Sequence, residues 1–269
     1  MTAQGGAVGR GLSGPLLRRR RLPQRISLKR RSWAGGLAAT LLLAAAASAQ
    51  QPGVPTLLPE AEQATWNAVG RVNIAGLKRR SMCSGTLVAP DLVLTAAHCL
   101  FRPDGHAARP VDVHFVAGWR GGAFAAHRQA AEIIFHPDYA PSLPPLAERV
   151  VYDVAFLRLD TPIVAAEATP VPLADLPADP GPLTIIGYRR DRPHALSRQQ
   201  GCAIRWRDAG VLGLDCPVME GSSGAPVLAA GPDGWRVVAL VAARASRGGR
   251  IASLAALVAP GPIPAKPAY

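Results

Sequence analysis

Three short segments of the chain carry residues that together can activate a hydroxyl group. Glu220-Gly221-Ser222-Ser223-Gly224-Ala225-Pro226 sets a serine between glycines. A serine hydroxyl is a poor nucleophile at neutral pH and needs an adjacent base. Attack on a carbonyl also needs N–H donors aimed at the oxygen that becomes negative. Gly221 lets the backbone turn so that the N–H groups of Gly221 and Ser223 converge, and Gly224 leaves space behind the nucleophile. Leu94-Thr95-Ala96-Ala97-His98-Cys99 ends an apolar run in small residues and an imidazole, the pattern of a base held on a tight turn. Tyr152-Asp153-Val154-Ala155-Phe156-Leu157-Arg158-Leu159 opens an apolar strand with an acid. Asp153 there can accept a hydrogen bond from His98 Nδ1–H, fix the tautomer and stabilise the imidazolium. Each segment alone is ordinary. A G-S-S-G run is commonly a flexible turn and an Asp before a strand a turn residue. A lone histidine is commonly core or surface, which is the reading of His106, His114, His127, His136 and His194. The three segments in combination point to nucleophilic acyl transfer.

In the order His98, Asp153, Ser223 the sequence resembles the chymotrypsin-like (trypsin-like) serine peptidases. The matching text is TAAHC at 95–99, DVAFLRL at 153–159 and GSSGAP at 221–226, and His136-Pro137-Asp138-Tyr139 resembles the family's loop ahead of its acid. The resemblance covers about Ala68 to Val241. It implies an all-β fold of two antiparallel six-stranded β-barrels with the active site between them, His98 and Asp153 from the first and Ser223 from the second. It implies a serine endopeptidase with Gly221 and Ser223 N–H groups as oxyanion hole, a polypeptide substrate, and neither metal nor organic cofactor. The alternative is a catalytically silent binding protein on the same fold.

The chain departs from the digestive members at Ser222. Those members have an Asp there, paired with a newly cut N-terminal ammonium. A serine cannot make that ion pair, and both Ser222 and Ala68-Val69-Gly70-Arg71-Val72 look closer to the bacterial glutamyl-endopeptidase-like branch. Activation by N-terminal insertion is therefore not expected, and trimming before Ala68 should leave activity intact. The specificity pocket is expected at Pro217 and Val218, with a wall at Val241 and Ala242. No acid stands where Arg or Lys substrates would need one, so a small or apolar preference is expected. Arg244 and Arg247, just past the wall, could favour an acidic residue, but charged loops are more commonly solvated surface, and the two are read as such.

Four cysteines in an exported chain predict two disulfides. Cys83–Cys99 would tie two adjacent strands behind His98. Cys202–Cys216 would close a hairpin around Asp208-Ala209-Gly210. Pairing Cys83 with Cys202 or Cys216 is also topologically possible. No cysteine pair has the close spacing of a metal site.

The elements that must position these residues are short. Runs with alternating or continuous apolar residues recur at 68–74, 86–89, 92–95, 111–116, 132–135, 154–159, 183–186, 203–206, 211–214, 225–228 and 235–241, separated by Pro, Gly and Asp. Arg250 to Val258 reads as a short helix or a last strand. The domain is expected at 67–258, divided near 160, with 50–66 a linker or short pro-segment and 259–269 a Pro-rich tail. The net charge of +12 suggests nucleic acid at first, but residues 1–49 hold nine Lys/Arg and no acid, leaving 21 basic against 18 acidic residues. No nucleic-acid motif accompanies that charge. Basic runs at 18–21 and 29–31, an Ala/Leu stretch at 37–47 and Ala47-Ser48-Ala49 read as an export signal, with Arg30-Arg31 resembling a twin-arginine motif. The mature chain is expected in the periplasm or medium, monomeric and without stable membrane association.

Overall fold

The computed structural model describes residues 53–75, 82–102, 104–141, 147–247 and 250–261. Residues 1–49, read above as an export signal, and most of the Pro-rich tail lie outside the described residues.

The described residues form strands and short 3-10 turns. After a short strand β1 (Thr56–Leu57), six strands close into a barrel: β2 (Val69–Ile74), β3 (Met82–Ala89), β4 (Leu92–Thr95), β5 (Val113–Ala117), β6 (Ala126–Phe135) and β7 (Ala155–Leu159), in the order β2-β3-β4-β7-β6-β5. Alternation decides which face points inward. On β2, Val72 and Ile74 are buried while Arg71 and Asn73 are only partly so. Val72, Leu87, Leu94, Phe115 and Leu157 meet in the core. Gly70 lies against the Phe115 ring, where a Cβ would come within 2.4 Å.

The second half is one sheet of β8 (Leu183–Arg189), β9 (Arg192–Cys202), β10 (Ile204–Asp208), β11 (Val211–Leu214), β12 (Pro226–Gly231), β13 (Gly234–Arg247) and β14 (Arg250–Leu257). Its order is β1-β9-β8-β12-β13-β14-β11-β10. Only Ala203 separates β9 from β10. The first leg of this bent strand pairs with β8 and the second with β11, so the sheet curls back towards its own start. Counting that bent strand as one gives the six strands expected of the second barrel. Segment 250–258 resolves as strand β14.

Two strands escaped the apolar pattern. β9 is mostly polar, because its buried positions are filled partly by Ser197 and Gln199. Gln199 Nε2 donates to the carbonyls of Gly53 at 3.0 Å and Pro217 at 2.8 Å, which removes the cost of burying an amide. β1 falls in the stretch expected to be a linker or short pro-segment. From Gly53 onward that stretch is laid on the second sheet. Thr56 and Leu57 pair with Arg198 and Ser197, Leu58 and Trp66 are buried, and Glu62 makes an ion pair with Arg198. A free linker is therefore not what residues 53–66 form.

Candidate active site

The register of two neighbouring strands brings the base and the acid together. Thr95, the last residue of β4, pairs with Ala155, the first of β7. His98 lies just past one strand end and Asp153 just before the other, so both project from the same rim. Ala96 and Ala97 are fully buried at the start of the turn Ala97–Leu100, which explains the small residues there. Cys99 bridges to Cys83 on β3, with Cα atoms 6.2 Å apart, and holds that turn to the barrel.

Asp153 takes two hydrogen bonds from one residue. His98 Nδ1 lies 2.6 Å from Oδ2, and the His98 backbone N–H donates to Oδ1 at 2.8 Å. The carboxylate is buried while the imidazole side chain is 41% exposed. With Nδ1 carrying the proton towards Asp153, Nε2 is left as the basic atom. Desolvation lowers the imidazole pKa, but the hydrogen bond and charge of Asp153 outweigh it, and the net shift is upward from the ordinary value of 6.5.

Ser223 arrives from the second sheet on the turn before β12. Gly221 and Gly224 have φ of +93° and +78°, a region that residues with a Cβ seldom enter. Space agrees with conformation: a Cβ on Gly224 would stand 2.2 Å from the Ser84 carbonyl, and one on Gly221 would meet Met82 Cε at 2.7 Å. Among the described residues neither Gly221 N–H nor Ser223 N–H donates to another backbone group, whereas Ser222 N–H is committed to Met219 O at 3.0 Å. Both of the donors expected for an oxyanion are thus unspent.

His98, Gly221 and Ser223 line one cleft of about 1020 Å³ with Arg71, Met82, Cys83, Arg190 and Glu220. No hydrogen bond joins Ser223 Oγ to His98 among the described residues. Beside Ser223 opens a second recess of about 370 Å³, walled by Val218, Met219, Val241, Ala242 and Ala243 with Arg190, Glu220 and Arg244 at its edges. Three of the four expected pocket residues, Val218, Val241 and Ala242, are there. Pro217 is not: its carbonyl accepts the Gln199 amide, which ties it towards β9. Arg244, for which solvated surface was the favoured of two readings, lines the edge of the recess.

The second disulfide, Cys202–Cys216, has a Cα separation of 5.4 Å and stands at the corner where β9 passes into β10. Asp215 Oδ1 accepts from the Ala203 N–H at 2.8 Å at the same corner. Cys83, His98 and Cys99 are close enough to suggest a metal site, but both sulfurs are consumed in the disulfide and cannot ligate as thiolates.

Ser84 was not singled out in the sequence, yet it ties the parts of the site together. It is fully buried on β3. Its Oγ donates to Gly221 O at 2.8 Å and accepts from Tyr188 N–H at 2.9 Å. Its N–H donates to Ser223 O at 2.8 Å, and its carbonyl accepts Thr95 Oγ1–H at 2.8 Å. One residue of the first barrel thereby holds carbonyls on both sides of Ser222. The available signal was a run of buried hydroxyls, Ser84, Thr86 and Thr95, inside otherwise apolar strands.

The chain is similar to known proteins in sequence and in fold. A family model described as a trypsin-like peptidase domain matches residues 83–240. A cercarial protease from Schistosoma mansoni is 29% identical over 124 residues, 42% of this chain and 45% of that protein. The match thus spans about half the length of that curated relative. Among solved structures, a Glu endopeptidase superposes with a TM-score of 0.62 at 18% identity, covering 78% of this chain and 93% of its own. A thermostable serine protease from an extremophilic microorganism gives 0.58 at 20% identity, covering 72% and 92%. At these identities the structural likenesses speak for the fold.

Proposed function

Because the chain belongs to the trypsin-like peptidase family, we propose that it is an exported serine endopeptidase working through an acyl-enzyme on Ser223. The observation that carries this reading is the His98–Asp153 pair opening onto the cleft that also holds Ser223 and two unspent N–H donors. Ser223 Oγ attacks the scissile carbonyl while His98 Nε2 takes its proton. The Gly221 and Ser223 N–H groups bind the oxygen as it becomes negative. The imidazolium, steadied by Asp153, then protonates the departing amine, and the acyl group stays on Ser223 as an ester. Water, deprotonated by His98, hydrolyses the ester and restores the serine. Catalytic hydrogen bonds often tighten only when substrate binds.

The recess walled by Val218, Val241, Ala242 and Ala243 suits a small or apolar side chain on the acyl side of the bond. Export is supported by the signal-like residues 1–49 and by two disulfides, which persist in oxidising compartments. A fluorophosphonate probe tests the proposal. Labelling of the wild type and loss of label in Ser223→Ala and His98→Ala is the expected result. An oxidised, folded preparation that takes no label refutes it.

A further inference from the structure

Arg71 is a cation in the proposed active-site cleft that, among the described residues, has no anion beside it. It stands on β2, half-buried, facing away from the core of the first barrel. Its guanidinium carbon lies 5.4 Å over the Trp119 ring. Its two hydrogen bonds are long, Nη1 to Pro193 O and Nη2 to Asn73 Oδ1, both 3.4 Å. Nε is buried with no hydrogen-bond partner among the described residues. Burial lowers its pKa from the usual arginine value, Tyr188 opposes this only in part, and no carboxylate contributes. Arg190, the other arginine lining this cleft, already has Glu220 at 2.9 Å. His194 lines the cleft as well, its ring 6.5 Å from that of Trp119. A partly desolvated charge with no counter-charge is unfavourable, and a carboxylate arriving in the cleft would relieve it.

The position of Arg71 says which part of a substrate would bring that carboxylate. On the reading of Ser223 as nucleophile, the acyl half of a peptide enters the recess at Val218, Val241 and Ala242. The leaving-group half then runs along the other arm of the cleft, past Cys83, Met82, Asn73 and Arg71. We infer that Arg71 forms a carboxylate subsite on the leaving-group side of the scissile bond. Trp119 and Pro193 hold the plane of the guanidinium, whose fork matches a carboxylate. The carboxylate is either an Asp or Glu side chain shortly after the cleaved bond or the C-terminus of a short leaving peptide.

Two sets of quenched fluorescent peptides with one fixed acyl half separate these sources. One set exchanges Asn or Gln for Asp or Glu at each early leaving-group position. The other ends shortly after the bond in a free acid or an amide. The wild type should favour the acid in one set by about tenfold in kcat/KM, as a charge-assisted hydrogen bond implies, and salt should shrink that ratio. Arg71→Gln should bring the ratio close to one, and Arg71→Lys should keep part of it. The ratio within a single enzyme is the readout, so a general loss of rate does not confuse it. A wild-type ratio near one in both sets overturns the inference, as does a ratio that survives in Arg71→Gln. If Arg71→Gln does not fold, the wild-type ratio and Arg71→Lys decide. A fluorophosphonate-labelled enzyme with flat ratios counts against Arg71 alone. If no peptide is hydrolysed and the enzyme takes no fluorophosphonate label, Ser223 as nucleophile fails, and anisotropy of the same peptides on Ser223→Ala still gives the acid-over-amide comparison.

Discussion

His98 is anchored twice to one buried carboxylate, and the consequence is a pH dependence of defined sign. The proposed reaction needs neutral imidazole. Asp153 raises the pKa despite desolvation, so the base form is reached only at higher pH than for a free histidine. The rise of kcat/KM with pH should therefore be centred above 6.5. Asp153→Asn should move that limb downward and reduce kcat by about 10⁴-fold, the size of effect seen for a triad of this kind. Profiles of the two enzymes on one substrate check this, and an unmoved limb would show that Asp153 does not set the imidazole. Ser84 makes a separate prediction. Ser84→Ala leaves Gly221 O and Tyr188 N–H buried without their partner, at a cost of about 1–3 kcal/mol. Denaturant midpoints should fall accordingly. If Ser84 also holds the oxyanion turn in shape, kcat should drop while KM changes little.

Among elements, the bent strand β9–β10 does most to shape the second half of the molecule. It changes partner within one residue, and Cys202–Cys216 fastens that corner. Replacing both cysteines by serine should lower stability by about 2–4 kcal/mol, measured by urea unfolding. Ser223 follows Cys216 closely, so active-site titration should fall alongside. The hairpin that follows turns on Ala209 and Gly210, with φ of +36° and +87°. Such a turn favours Asn-Gly, because Asn tolerates a left-handed backbone and Ala does not. Ala209 is exposed, so Ala209→Asn should raise the melting temperature, by a gain on the order of 0.5–1 kcal/mol. An unchanged or lower melting temperature would mean the turn has another conformation. β9 itself was hard to read, since its buried positions carry Ser197 and Gln199, which are tolerated inside because each is hydrogen-bonded: Ser197 Oγ accepts from Arg192 on the same strand, and Gln199 reaches the carbonyls of Gly53 and Pro217.

At the scale of the whole molecule, residues 53–66 alter one expectation. Trimming before Ala68 was expected to leave activity intact, since Ser222 cannot pair with a new N-terminus. The structure separates activation from stability. A chain beginning near Gln50 should take the fluorophosphonate label with no further cleavage. A chain beginning at Ala68 loses Leu58, Trp66 and the β1–β9 pairing, and should lose at least about 3 kcal/mol of stability, the scale of removing a large buried side chain. Equal urea midpoints for the two chains would show that the segment is dispensable.

What the sequence alone determined is the class of fold, and it supplied the residues on which the proposed chemistry rests. Histidine, acid and serine stand in text whose residue types each have a local reason: small alanines where a turn is buried, glycines where φ is positive, an acid at a strand end. Such local constraints are written in neighbouring residues, so they are legible there. The two-barrel expectation came from resemblance as well as from the recurring apolar runs. Tertiary structure alone decided that Ser84 joins the two halves, that Pro217 turns from the recess while Arg244 reaches it, and that residues 53–66 belong to the second sheet. It also decided that Arg71 faces the cleft with no carboxylate paired to it among the described residues. Each of these depends on contacts between residues far apart in the chain, often more than a hundred positions, and polar partners at that separation leave no periodicity for a sequence to display.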